Sequence, residues 1–234
     1  MRLLVWSAEP ARALGRALAP HADIVEAPSW AALPALASED VDVALVPTLQ
    51  VLREPGDFEL VPGVALVGEA SPELALVVRG PMHDVCSVAF DPRYAQEALL
   101  SAILLREHYG AQPAFAAAVP GASLSERLAG NEAALASHDD LDMRAADTLV
   151  VDIGTEWLEL TTRPFAWALL AARAGALGAG DLAPLGAAAR AALPPDGWQF
   201  TLDGYGHAGL EEFAGHLFFH GALADLPALP GAGA

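Results

Sequence analysis

Short apolar runs alternate with alanine-rich stretches along most of this chain, and that exchange limits the folds open to it. "RLLVW" (2–6), "ADIVEA" (22–27), "VDVALVP" (41–47), "VALVG" (64–68), "ELALVVRG" (73–80), "VCSVAF" (85–90) and "TLVVDIG" (148–154) are too short for helices and read as strands. "PAFAAAV" (113–119) is a further strand candidate. Between them, "PARALGRALAP" (10–20), 29–38, "RYAQEALLSAILLREHYG" (93–110) and "SLSERLAGNEAALASH" (123–138) read as helical or mostly helical. The 93–110 helix ends with Arg106, His108 and then Gly110, the expected C-terminal signature. Alternation of this kind predicts an α/β architecture with mostly parallel sheets.

One stretch breaks the rhythm. "VVDIGTEWLELTTRPFAWALLAAR" (150–173) starts as a buried strand, turns helical with Trp157 and Leu160 on one face, meets Pro164 and becomes apolar again. A crossing between two lobes explains it. The middle of the chain carries its own βαβ pattern and long helix. The expected organisation is residues 1–79 and 166–234 as one lobe, with 80–165 as a second lobe inserted between them. Such a chain would place a ligand cleft between the lobes.

The 234 residues are 54% hydrophobic and 18% charged, as in a globular protein. All basic residues are arginine, and the formal charge is −18. That acidity argues against nucleic acid and against anionic membranes as partners. An anionic ligand would need local donors: a few arginines, or helix N-termini. The opening "MRLLVWSAEP" is too short in apolar residues for a secretory signal, and no run is long enough to span a bilayer. A cytoplasmic location is therefore expected. The oligomeric state is not legible. The one cysteine, Cys86, has Val85 and Val88 as neighbours and is expected to be buried.

No phosphate-binding fingerprint and no nucleophile elbow is present. "DGYGHAG" (203–209) reads as a glycine-rich turn. "HLFFH" (216–220) pairs two histidines at i and i+4 but lacks the intervening glutamate of a zinc protease, so it reads as a helix edge. No metal and no cofactor is expected. Three segments carry polar residues at the carboxyl ends of strands, where open α/β sheets bind ligands: "VWSAEP" (5–10), "DVALVPTLQ" (42–50) and "AFDPRYAQEA" (89–98).

With those pieces in order, the chain resembles the chorismate dehydratases of the futalosine route to menaquinone and their siblings, the 1,4-dihydroxy-6-naphthoate synthases. The resemblance rests on Asp152, Ile153 and Gly154, then Trp157, Glu159, Thr161, Pro164 and Phe165, and finally Ala171, Ala172 and Arg173. Glu132 in "NEAAL" falls where the family has Gly-Asp-Ala-Ala-Leu. It implies a two-lobed fold like type II periplasmic binding proteins, and loss of water from chorismate to give 3-[(1-carboxyvinyl)oxy]benzoate. Ser7 and Thr48 are the candidate catalytic residues. Glu9, Pro47, Gln50, Arg93, Tyr94, Gln96 and Glu132 are the candidates for substrate binding. The chain departs from the family pattern in its polar lining: a family asparagine aligns with Ser7, a serine with Ala75, and Ser-Arg-Thr-Ser with Tyr94, Ala95, Gln96 and Glu97. Those departures keep open a second reading, a non-catalytic binder of a small carboxylate. The sibling activity would need a histidine base, with His83 or His207 as candidates.

Overall fold

The computed structural model describes residues 1–54, 58–143, 147–227 and 229. Contacts divide the chain into two units, Met1–Pro72 with Arg163–Ala234, and Glu73–Thr162. Both are α/β.

The first unit opens with β1 (Arg2–Trp6), α1 (Glu9–Leu18), β2 (Asp23–Ala27), α2 (Ala32–Ala37), β3 (Val43–Pro47), α3 (Thr48–Arg53) and β4 (Phe58–Gly68). Pro10 stands in the first turn of α1, where its missing N–H leaves no helical bond unmade. Ala11, Leu14, Gly15 and Leu18 form the buried stripe of that helix, at the three- and four-residue spacing of one face. β1 pairs in parallel with β2 and β3.

The second unit follows: β5 (Leu74–Arg79), β6 (Ser87–Phe90), α4 (Ala95–Glu107), β7 (Ala114–Ala117), α5 (Leu124–Leu128), β8 (Ala133–Ser137), β9 (Thr148–Val151) and α6 (Ile153–Thr161). Its five-stranded sheet has the order β7-β6-β8-β5-β9. α5 begins with a capping box, in which the Glu126 N–H donates to Ser123 Oγ and the Ser123 N–H donates to Glu126 Oε2. The helix expected over 123–138 is therefore short, and its second half is strand β8. Alanine favours helix, but Ala133, Ala134 and Ala136 are buried between β5 and β6, and that packing overrides the local preference. Asp152 caps α6 by accepting from the Gly154 and Thr155 N–H groups. Thr162, with φ 58°, ends that helix in the left-handed conformation, immediately before the division between units.

The chain returns to the first unit with β10 (Phe165–Arg173), α7 (Ala179–Ala191), β11 (Trp198–Thr201) and α8 (Gly204–Phe219). β10 matches the apolar run read from the sequence and is buried from Phe165 to Ala172. It lies inside the sheet order β11-β4-β10-β3-β1-β2, antiparallel to both β3 and β4. The expectation of mostly parallel sheets is thus corrected: both sheets are mixed, with β5 also antiparallel to its two neighbours. A strand returning from an inserted unit need not run with the strands it joins.

The glycine-rich "DGYGHAG" is a helix start, not a turn. Asp203 accepts from the Tyr205 and Gly206 N–H groups and caps α8. The glycines let α8 approach its own unit. A Cβ on Gly209 would lie 2.0 Å from the Pro164 carbonyl oxygen, and one on Gly206 would press on Val67. Cys86 is exposed rather than buried, because it precedes β6 and lies outside the packed strand. Among the described residues, no helix is long and apolar enough to cross a membrane.

Gly209→Ala is expected to destabilise the protein by about 1–3 kcal/mol, since the clash is with backbone. In a chain of this size that lowers Tm by about 2–4 °C per kcal/mol. Gly215→Ala, on the same helix with open space around it, is the control and should hold or raise Tm. Thermal unfolding of the two variants checks the contrast.

Candidate functional site

In the first unit, three candidate residues stand where β1 and β3 end side by side. The Ser7 N–H donates to the Ala27 carbonyl at 2.9 Å, tying the exit of β1 to that of β2. The Trp6 indole N–H donates to the Leu45 carbonyl at 2.6 Å and fixes β1 against β3. Pro47 ends β3, and Thr48 opens α3 fully buried, its hydroxyl donating to the Ala166 carbonyl at 2.5 Å. The Thr48 proton is therefore committed to β10, and its oxygen is left as an acceptor. Gln50, in the first turn of α3, keeps its side-chain carbonyl oxygen buried with no hydrogen-bond partner among the described residues. Glu9 faces solvent and pairs with Arg16 at 2.5 Å. That hydrogen bond holds its carboxyl below the ordinary range.

In the second unit, Arg93 and Tyr94 line a pocket of about 370 Å³ at the carboxyl end of β6 and the start of α4. Asp91 follows β6 and accepts from Arg93 Nε at 3.0 Å and from Nη2 at 2.6 Å. Burial pushes the Asp91 carboxyl up, but hydrogen bonds from Arg93, with the charges of Arg93 and Arg127, outweigh it and leave Asp91 below its ordinary range. Arg127, from α5, forms the facing wall. Its side chain is only 9% exposed, one Nη donates to Asp140 at 2.6 Å, and the other donates to the Leu135 carbonyl. Its Nε is buried with no partner among the described residues.

Sequence reasoning missed Arg127, Asp140 and the pairing role of Asp91. The available signal was "SLSE", a capping-box pattern that places Arg127 one residue into the second turn of a short helix. Gln96 and Glu132 do not line this pocket. Gln96 is buried in the first turn of α4. Glu132 precedes β8 at the surface and accepts a short hydrogen bond from the Ser87 hydroxyl, which holds its carboxyl low. His83 is exposed near Asp84, and His207 sits in the first turns of α8 with Nδ1 3.5 Å from Glu211.

A family model described as menaquinone biosynthesis matches residues 30–193. The chain belongs to that menaquinone biosynthesis family. None of the curated proteins matches it in sequence. Solved structures give the fold. A protein from Archaeoglobus fulgidus is similar at a TM-score of 0.61 and 12% identity, over 95% of this chain and 98% of that one. The periplasmic aliphatic sulphonate binding protein of Escherichia coli is similar at 0.60 and 14%, over 97% and 89%. An ABC transporter protein from Parabacteroides distasonis is similar at 0.56 and 14%, over 100% and 97%. The fold is the two-lobed α/β fold of binding proteins.

Within this menaquinone biosynthesis protein, one buried carboxyl has a measurable consequence. Glu97, in the first turn of α4, is 2% exposed. Burial raises its carboxyl to about 8, and the charge of Glu73 adds to the shift. The folded protein therefore binds this proton more tightly than the unfolded chain does. Between about pH 4.5 and pH 8 the native state holds the extra proton, so stability falls as pH rises through that window. Glu97→Gln is expected to remove that fall and to be the more stable protein at pH 8, by an amount on the order of a few kcal/mol. Thermal unfolding at steps from pH 5 to pH 9 checks it; parallel profiles for the two proteins would refute it.

Proposed function

We propose that the protein is a chorismate dehydratase. It would remove a ring proton and the adjacent hydroxyl from chorismate as water and leave 3-[(1-carboxyvinyl)oxy]benzoate, with aromatisation driving the step. The observation that carries this proposal is membership of the menaquinone biosynthesis family over residues 30–193. Beside it stands the sequence likeness of 150–173 to the dehydratases.

The chain's own residues suit the work required, which is binding and orientation more than covalent chemistry. A pocket of about 370 Å³ is in the size range of small-molecule sites. Arg93 supplies a planar pair of donors suited to a carboxylate, and Tyr94 flanks it. The start of α4 has no side-chain cap, so its dipole adds local positive potential in an acidic protein. Ser7 would hold the leaving hydroxyl or pass its proton. Thr48, fully enclosed and tied to Ala166, would act by fixing the exit of β3, and Glu9, Pro47 and Gln50 would shape the lining of the same unit. Gln96 and Glu132 would act by supporting the second unit's lining. A cytoplasmic location belongs to the same proposal.

A second reading, a binder of a small carboxylate without turnover, is favoured by the polar lining of the chain: Ala75 and the stretch Tyr94, Ala95, Gln96 and Glu97 stand where the resemblance to the dehydratases implies hydroxyl-bearing residues and an arginine.

Purified protein incubated with chorismate should produce the aromatic ether, followed by ultraviolet absorbance and chromatography. Ser7→Ala should lower kcat by about 10²-fold with little change in KM. Arg93→Ala should act mainly on KM, raising it about tenfold or more. Absence of product at high protein concentration would sink the dehydratase, and calorimetric binding of chorismate in that case would select the binder.

A further inference from the structure

At the far end of α4 from the pocket, three side chains from two helices meet. His108 follows the last residue of α4, and Glu156 and Glu159 stand three apart on α6. One donor atom from each lies within 4.8 Å of the others. We propose that His108, Glu156 and Glu159 form a binding site for a divalent transition-metal cation of the Zn²⁺ type, with water completing its coordination.

The chemistry of the donors supports this. An imidazole nitrogen with two carboxylates suits Zn²⁺ and its neighbours in the first transition row better than Mg²⁺, which prefers oxygen alone. The spacing supports it too. His108 Nδ1 and Glu156 Oε2 are 3.4 Å apart. That is longer than a good N–H···O hydrogen bond, and it is about the donor–donor distance around a tetrahedral zinc ion.

Glu156 is also held in place. The Tyr109 hydroxyl donates to Glu156 Oε2, and the Tyr109 ring stacks on His108 with centroids 4.7 Å apart and planes 28° apart. A ligating carboxylate oriented by an outer hydrogen bond is a regular feature of metal sites.

The charge balance points the same way. Asp91 and Asp140 each have an arginine partner. Glu156 instead has the His108 imidazole and the Tyr109 hydroxyl beside it. Two carboxylates this close repel each other, and a dication relieves the repulsion. The site is about 20 Å along α4 from the pocket, by the rise of a 13-residue helix. Its role is to pin the C-terminal end of α4 to α6, not to act on substrate. The inference therefore stands apart from the proposed dehydratase activity.

The test is a calorimetric titration of the full-length protein, freed of metal by chelator, with Zn²⁺. Co²⁺ serves as a visible-absorbance probe of the ligand field. Zn²⁺ is expected to bind one per chain and to raise Tm, as any ligand selective for the native state does. His108→Ala and Glu159→Gln should each weaken binding at least tenfold, and Tyr109→Phe about tenfold. His216→Ala, which alters the histidine pair on α8, should change nothing. Glu159 is exposed, so Glu159→Gln keeps the test valid if the His108 variant is poorly folded. No saturable Zn²⁺ binding, binding unchanged in Glu159→Gln, or binding lost in His216→Ala would each overturn the proposal.

Discussion

The first unit depends on burying β10 along its whole length. From Phe165 to Ala172 no residue of the strand meets solvent. Its backbone groups must therefore find partners inside the protein, and β3 on one edge and β4 on the other supply them. The side chains set the spacing of the layers. Phe165 packs on Trp167 at 4.5 Å and on Phe213 of α8 at 4.7 Å. The alanines at 166, 168, 171 and 172 leave room on the strand for neighbouring elements. Gly209 brings α8 up against the carbonyl of Pro164, one residue before the strand starts. A strand buried this thoroughly tolerates no polar residue, and that is why its sequence is so plainly apolar.

The same burial fixes Thr48. Its hydroxyl is fully enclosed and donates to Ala166 of β10, so a residue at a strand exit, a usual place for ligand chemistry, is tied to the central strand. Charge is handled in a different way. The chain carries a formal −18 with twelve basic residues, all arginine. In the second unit the arginines at the pocket are spent on nearby aspartates, Arg93 on Asp91 and Arg127 on Asp140. Other carboxyls of the unit are placed differently. Glu97, fully enclosed, keeps its proton up to about pH 8. Glu156 and Glu159, nearer the surface, stand beside His108.

Much of the fold was legible because its signals are local. β10 could be read from an unbroken apolar run after Pro164. α4 could be read from its length and its end at His108–Gly110. The mixed direction of the sheets was not legible, since strand direction depends on which strand the returning chain joins. β8 was hidden because an alanine-rich segment carries the same letters in a helix or in a strand buried on both faces. α8 was misread as a turn because glycine signals freedom of the backbone in sequence, whereas here it serves close packing.

The site was less legible for a physical reason. Arg93 and Tyr94 were visible because they stand at a strand exit, and strand exits are marked in sequence by the loss of apolar residues. Arg127 reaches the same pocket from a helix 34 positions later, and His108 meets Glu156 from a different helix altogether; neither meeting leaves a spacing to read. The two kinds of information are also held by separate residues. Burial of β10 and the caps of α5, α6 and α8 set the scaffold, and none of them requires a particular side chain at position 7, 94 or 97. The polar lining can therefore change while the fold stays. Glu97 is a case in point: it is enclosed in the first turn of α4, and burial raises its proton affinity while the helix around it stays regular.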